Sequence, residues 1–397
     1  MKSHWQLEPG FTFLNHGSFG ACPTQVLEAQ TEWRERLERQ PLQFLVRDLP
    51  GLLDEARSVL ANFIGVPCPE DIAFISNTTS GVNTILQSIA WAPSDELLTT
   101  NHDYGACRNA LDYTAERTGA RVVVAQVPFP IHHNEQIIDA VMACVTPRTR
   151  LAVLDHVTSS TAVVMPIQQL IEQLHARGVD TLIDGAHAPG MLEVDLKKLA
   201  PTYYVANCHK WLLAPKGAAF MYVRRDKQMA IRPTSISHGA KRDTTHRSRF
   251  LMEFDWTGTV DPTAYLCVPH AIQFIERIMP GGWDALRTHN HALACFAQRL
   301  LCKTLGVVAP VPESMLGSMA SVALPPIPEN QLTHEAFADP LQLALLKEHR
   351  MEVPVFVWPS MPSRLLRISA QIYNTAEEYR QLAEVLANGG NFCRIQR

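Results

Sequence analysis

The chain has 397 residues, with 35 Lys and Arg against 39 Asp and Glu and a formal charge of −4. That near-balance lacks the basic surplus that phosphate-backbone binding requires, so a nucleic-acid partner is disfavoured. A hydrophobic content of 46% with 19% charged residues fits a globular enzyme, excludes disorder as a general description, and at roughly 150 residues per domain predicts two or three domains.

No run reaches the roughly 18 apolar residues of a membrane span; LAVLDHVTSSTAVVM is broken by Asp155, His156 and a series of hydroxyl residues. The opening MKSHWQLEPG has no apolar core of the secretory kind. A cytoplasmic location without a membrane partner is therefore expected. The nine cysteines (Cys22, Cys68, Cys107, Cys144, Cys208, Cys267, Cys295, Cys302 and Cys393) are odd in number, scattered and free of CxxC pairs. Neither a disulfide framework nor a metal site follows from them.

From residue 51 to 225, β-like and helical runs alternate. IAFI (72–75) precedes a helix near 80–90, ELLTT (96–100) one near 105–118, and RVVVAQV (121–127) one near 135–143. LAVLD (151–155) precedes PIQQLIEQLHARG, where Pro166 suits a first turn and Gly178 a stop. VDTLID (179–184), YYVAN (203–207) and AAFMYV (218–223) complete the strands. Strands separated by helices predict an α/β fold with a mostly parallel sheet covered on both faces. After residue 262 a helical run from Trp283 to Leu305 leads to ASVAL (320–324), VPVFV (353–357) and LLRIS (365–369), then to a helix over Thr375–Ala387. This reads as a smaller α+β unit, with Pro-rich PPIPEN (325–330) as an exposed loop inside it.

Ligands of an open parallel sheet collect at the carboxyl ends of its strands. After IAFI, SNTTSGVNT puts the hydroxyls of Thr78, Thr79 and Ser80 at a helix start, where an anion is welcome; an ordinary N-cap gives the same pattern. After VDTLID, Asp184 opens DGAHAPG with His187 close behind. A buried carboxylate needs a cationic partner, which a protonated pyridine nitrogen supplies and a structural ion pair equally would. After YYVAN, CHKW sets Lys210 between His209 and Trp211. A lysine at a strand end loses solvent, and with it basicity, becoming a nucleophile toward an aldehyde; on an exposed loop it would be an ordinary surface charge.

Hydroxyl-rich helix start, Asp, and Lys 26 residues later together meet the needs of pyridoxal phosphate. With FLNHGSFGACP near the start and DGAHAPG…CHKW in the middle, the chain resembles the class V aminotransferase family of fold type I pyridoxal-phosphate enzymes, most closely the isopenicillin N epimerase-like group, from Phe13 to about Thr375. The resemblance implies a large domain with a mostly parallel seven-stranded sheet (16–262), a smaller C-terminal α+β domain (263–397) and an N-terminal segment (1–15) packed on them. It implies Lys210 as the internal-aldimine lysine, Asp184 on the pyridinium nitrogen, His187 near the ring oxygen, and Thr79, Ser80, Asn207 and His209 at the phosphate. Tyr104 falls at the ring-stacking position, Ser159 or Thr158 near the ring hydroxyl, and Thr259 of WTGT in the loop that crosses to a partner subunit, so a homodimer is expected. Arg367 of LLRIS matches the carboxylate-gripping arginine. Asn15 and His16 are expected in the same pocket, and Arg47 is a candidate second anion site.

For the reaction, the resemblance implies removal of the substrate Cα proton by Lys210. Epimerisation, C–S β-elimination and transamination diverge afterwards. Epimerisation needs an acid on the opposite ring face, for which Tyr104 and His102 are the candidates. The segment from Lys303 to Phe392 holds no cysteine, so desulfurase-type persulfide chemistry is not expected. The reading is an amino-acid-directed enzyme, epimerase-like, with a C–S lyase as alternative.

Overall fold

The computed structural model describes residues 1–241, 243, 245–326 and 338–388. A short strand β1 (Thr12–Phe13) and helix α1 (His16–Phe19) lead to α2 (Thr24–Arg39) and α3 (Leu49–Phe63). The alternating region follows: β2 (Ile72–Ile75), α4 (Thr78–Ser88), β3 (Glu96–Thr100), α5 (Gly105–Thr118), β4 (Arg121–Ala125), α6 (Asn134–Met142), β5 (Thr149–Asp155), α7 (Ile167–Ala176), β6 (Asp180–Asp184), α8 (Leu196–Leu199), β7 (Tyr203–Asn207) and β8 (Ala219–Val223). Among the described residues these strands form one seven-stranded sheet in the order β2-β8-β7-β6-β5-β3-β4, with β8 antiparallel to both neighbours and the others parallel.

Side-chain alternation along each strand splits the apolar residues between two faces. Leu97, Leu151, Val153, Leu182 and Val205 pack with α4 and α5, while Leu98, Ala152, Leu154, Ile183 and Ala206 join the larger core on the other side. These strands are buried almost throughout because helices cover both surfaces.

Three helices close the first layer: α9 (Arg249–Phe254), α10 (Thr263–Leu266) and α11 (Val268–Ile278). The last two follow the expected boundary at 262 and pack against α2 and α3. The long α12 (Gly282–Leu305) then packs on β9 (Met319–Leu324). After α13 (Pro340–His349) come β10 (Met351–Glu352), β11 (Val355–Val357), β12 (Arg364–Ser369) and α14 (Ala376–Asn388). β11, β12 and β9 make an antiparallel sheet.

The strand expected over 353–357 is shortened to Val355–Val357, and a separate short strand precedes it. Met351–Glu352 pair in parallel with Thr12–Phe13, and Val355–Val357 pair with β12. Pro354 lies between them and has no N–H to continue a ladder. The first pairing stitches the N-terminal segment to the C-terminal unit, and Trp5 reinforces it through edge contacts with Tyr373 and Phe274. From residue 327 onward, the Pro-rich loop lies outside the described residues, as does Cys393. No helix among the described residues is long and apolar enough to cross a membrane.

A buried ionic cluster anchors the entrance to the WTGT loop. Arg57, 1% exposed, donates through Nε to the Ile72 carbonyl at 2.9 Å and through its terminal nitrogens to Asp255 at 2.5 Å and to Asp54. Arg247 joins the same two carboxylates. Residues 256–259 therefore start from a fixed point.

Candidate active site

Strand parity delivers three polar residues to one face of the sheet, the α4/α5 side. Asp155 ends β5, Asp184 ends β6 and Asn207 ends β7, and Asp155 is the register partner of Asp184. All three line a cavity of about 170 Å³, together with Ser18, Asn77, Thr78, Thr79, Tyr104, Ser159, His187, His209 and Lys210. Lys210, Asp184, His187, Thr79, Asn207, His209, Tyr104 and Ser159 are thus brought together.

Lys210 sits in the tight loop after β7. Its amine is enclosed by protein yet open to the cavity. Gly20, in the left-handed region at φ +72, lets the N-terminal strap lie on this loop, since a Cβ there would stand 2.2 Å from the His209 carbonyl oxygen. His16 secures the contact. Its Nε2–H donates to the Lys210 carbonyl at 3.0 Å, and its Nδ1 accepts from the Tyr373 hydroxyl at 2.8 Å. His16 therefore holds the backbone of Lys210 and is not part of the cavity lining, contrary to the expectation of a pocket residue.

The Lys210 Nζ lies 3.3 Å from Nε2 of His187. Since His187 Nδ1 accepts from the Trp211 indole N–H at 3.2 Å, the neutral ring carries its proton on Nε2, the nitrogen that faces the amine. Burial holds His187 well below its usual range. Loss of solvent, then the Arg367 charge, lowers Lys210 to about 8 against the pull of Asp184, Cys107 and Asp155.

Asp184 is 3% exposed. One oxygen accepts from the Ala186 N–H at 2.9 Å and the other from the Cys107 thiol at 3.1 Å. Burial raises its affinity for a proton, while those donors and Lys210 lower it. At the opposite end, Asn77 caps α4 by accepting from the Ser80 N–H at 2.8 Å, and Asn207 Oδ1 accepts from the Thr78 N–H at 3.0 Å. The Thr78 hydroxyl is buried without a partner. Thr79 faces the cavity, but Ser80 does not: its hydroxyl bonds Asn77 and Ser76. Ser80 lines the adjoining cavity with Trp256, Thr257 and Gly258. The cap turns it away, because the Asn77 carboxamide holds both its N–H and its O–H. Thr259 itself is exposed.

Between Thr158 and Ser159 the structure distinguishes clearly. Thr158 Oγ1 accepts from the Val163 N–H at 2.8 Å and meets Thr161 Oγ1 at 2.7 Å, so it closes its own loop. Ser159 faces the cavity and accepts from Arg367 through both its carbonyl, at 2.8 Å, and its hydroxyl, at 3.3 Å. Arg367, 1% exposed, also donates to Ser18 Oγ at 3.0 Å and Asn15 Oδ1 at 3.3 Å, leaving its Nε without a partner. Asn15 thus supports Arg367 from behind.

His102 is displaced from the role of second acid. It bonds Thr161 at 2.9 Å and packs against Trp358 and Phe129 outside the cavity lining, because the turn after β3 points it toward the C-terminal unit. Arg47 lies exposed and bonds Gln43; the structure does not bring it to this cavity. Four participants escaped the sequence reading: Ser18, Asn77, Cys107 and Asp155. Asp155 carried a signal, since LAVLD ends on a carboxylate just as VDTLID does.

The donor set fits an aromatic aldehyde that carries a phosphate. An amine of lowered basicity, a carboxylate at one end and a helix start with a free hydroxyl at the other converge on one enclosed space. The family model for aminotransferase class V matches residues 22–382. The chain is 35% identical over 394 residues to an isopenicillin N epimerase of Amycolatopsis lactamdurans, covering 96% of this chain and 95% of that protein. It is 30% identical over 399 residues to a probable chloroplastic L-cysteine desulfhydrase of Arabidopsis thaliana, covering 96% and 83%. Among solved structures, a C-DES mutant with glycine covalently linked to its PLP cofactor superposes with a TM-score of 0.81 at 22% identity, over 98% of this chain and 99% of that one. The chain belongs to the class V aminotransferase family, with the fold type I architecture and pyridoxal 5′-phosphate as cofactor.

Proposed function

We propose that this enzyme removes the Cα proton of an amino acid or peptide-like substrate and returns a proton from the opposite side, an isopenicillin N epimerase-like reaction. The observation that carries the substrate class is Arg367. Among the described residues all its hydrogen-bond partners are neutral: Ser159, Ser18 and Asn15. A buried guanidinium without a counter-anion is costly. On the same strand Arg364 resolves that cost with Asp339, whose two carboxylate oxygens both accept at 2.9 Å. Arg367, beside the cavity of Lys210, is suited to the α-carboxylate of a substrate, which the planar fork grips at two points.

Bound pyridoxal phosphate supplies the electron sink that acidifies the Cα–H of an attached amino acid. Lys210 would hold the cofactor's aldehyde through Nζ, and its amine, with its pKa lowered to about 8, is the base placed to take the Cα proton. His187 stands 3.3 Å from that amine and positions it. Asp184 would take the ring nitrogen and Ser159 the ring hydroxyl, both lining the cavity. Thr79, Asn207 and His209 would hold the phosphate, with Thr259 of a second copy completing that end in a homodimer. The exposed position of Thr259, on a loop bordering the cavity next to Ser80, supports the last assignment. Tyr104, 45% exposed and cavity-lining from another element than Lys210, is the acid for inversion. The eight described cysteines are free, which supports a reducing compartment, and we place the enzyme in the cytoplasm.

A second reading, C–S β-elimination, uses the same base and the same arginine and needs no opposite-face acid. The displacement of His102 from the cavity favours it, and transamination is the third outcome. Tyr104→Phe separates them. If inversion is the reaction, the variant still exchanges the Cα hydrogen with solvent deuterium but forms the other enantiomer at least about 100-fold more slowly. Undiminished inversion removes Tyr104 from the mechanism, whereas sulfide and keto-acid release by the wild type identifies the lyase.

The Lys210 amine must be neutral to bond the cofactor. With its pKa lowered to about 8, apo-protein should capture pyridoxal phosphate faster as pH rises through about 8 and level off above it. Borohydride reduction should then label Lys210; a label on Lys216, whose Nζ donates to the Gly20 carbonyl at 2.8 Å, or a flat pH profile, rejects the assignment.

Arg367→Ala should lower kcat/KM by roughly 30- to several-thousand-fold, the equivalent of about 2–5 kcal/mol for a desolvated charge pair. Arg367→Lys should restore little of this, and the cofactor's absorbance should not change. Equal binding of an amino acid and its α-amide by the wild type counts against the role. For the shared site, mixing Lys210→Ala with Thr259→Ala protein should regain activity as subunits exchange. No regain despite exchange places Thr259 outside the partner's site.

A further inference from the structure

Asp155 is a buried carboxyl that the mechanism above leaves unused. It ends β5 as Asp184 ends β6, and the two are register partners on neighbouring parallel strands, which lie about 4.8 Å apart. Because register partners of a parallel pair project to the same face, the two carboxyls stand side by side. Asp155 is 7% exposed, and its Oδ2 is buried without a hydrogen-bond partner. Both residues line the Lys210 cavity. No arginine or lysine pairs with Asp155 among the described residues, unlike the Arg57–Asp255 and Arg364–Asp339 pairs elsewhere.

We propose that Asp155 is a second carboxyl at the ring-nitrogen end of the site, a positioning residue that lends its proton to the cofactor's pyridine nitrogen and then reinforces Asp184 as a carboxylate. This rests on the assignment of Asp184 to that nitrogen. Two adjacent carboxylates in low dielectric do not both ionise, so the pair retains a proton until a cation joins it. As the ring nitrogen enters, the Asp155 O–H bond breaks and the ring N–H bond forms, leaving one cation facing two anions. The effect is a ring that keeps its proton at higher pH than one carboxylate would enforce.

The groups around Asp155 agree with this. Burial, Asp184 of β6 and Asp103 after β3 all drive its affinity for a proton well above the usual carboxylate range, against Lys210 and the Tyr104 backbone. Cys107 of α5 also faces the pair, and its own thiol is held protonated by burial and by both carboxyls. Around Asp155 therefore stand two further carboxyls, a neutral thiol and one amine, an arrangement suited to a cationic ring.

The test uses holoenzyme carrying ¹⁵N-labelled pyridoxal phosphate, with the ring-nitrogen chemical shift followed against pH. In wild type the nitrogen should be protonated at neutral pH, and in Asp155→Asn the midpoint of its deprotonation should fall by about 1–2 pH units. Asp155→Ser, which leaves a smaller side chain without charge, should behave alike; a purely structural role would not move this signal in a correctly folded variant. If both variants titrate as wild type, the Asp155 proposal is overturned while Asp184 keeps its place. If the wild-type nitrogen carries no proton at neutral pH, the Asp184 assignment falls and this one with it.

Discussion

The site depends on keeping one amine short of water without leaving it unpaired. A lysine enclosed by protein loses hydration that nothing apolar replaces, and its charge survives only near anions. Here Asp184 pulls Lys210 toward the charged form while burial and Arg367 push the other way, and the balance rests at about 8. Such an amine suits the proposed roles, being neutral often enough to attack and charged often enough to act as a proton carrier. Each of the other features serves this balance. The sheet fixes Asp184, the C-terminal unit brings the arginine, and His187 faces the amine in a tautomer that Trp211 selects.

Holding such a balance needs a rigid frame around a loop. The Lys210 loop is clamped from outside by the strap at Gly17–Gly20, and from within by its own backbone bonds to Ala218 and by His209, whose Nδ1–H donates to the Ala218 carbonyl at 3.0 Å. The same strap donates the Gly17 N–H to Ser369 at the end of β12 and places Ser18 and Asn15 on Arg367. One short segment therefore ties the lysine of the first unit to the arginine of the second. The motif HGSFG is read twice by the fold, once by each half of the site.

Much of this was legible in the sequence because strand ends are local features. IAFI–SNTT, VDTLID–GAH and YYVAN–CHK each join an apolar run to the polar residue it delivers, so the parallel sheet, Asp184 and Lys210 followed from short stretches. What was not legible depends on register and on turns. Asp155 resembles any strand-terminal aspartate until the β5–β6 register sets it beside Asp184. Ser80 and Thr79 are neighbours whose opposite orientations are decided by the Asn77 cap. His102 and Tyr104 follow the same strand, yet the turn sends one toward Trp358 and the other toward Lys210. Asn15 and Arg367 meet across 352 positions, a contact that no local pattern encodes.

Relatives named for an epimerase and for a cysteine desulfhydrase share this fold, and the geometry offers a reason. On the proposed reading, binding the carboxylate and removing the Cα proton draw on Arg367, Lys210, Asp184 and their supports, which are buried and held by hydrogen bonds. The choice that follows draws on what stands opposite the amine, where the described lining offers a half-exposed tyrosine on a helix start instead of a buried network. A change of reaction then requires no change in the frame. It needs a proton donor gained or lost at one position, or room for a leaving group beside it, and either is a matter of surface side chains at the mouth of a cavity whose floor is fixed by strand register.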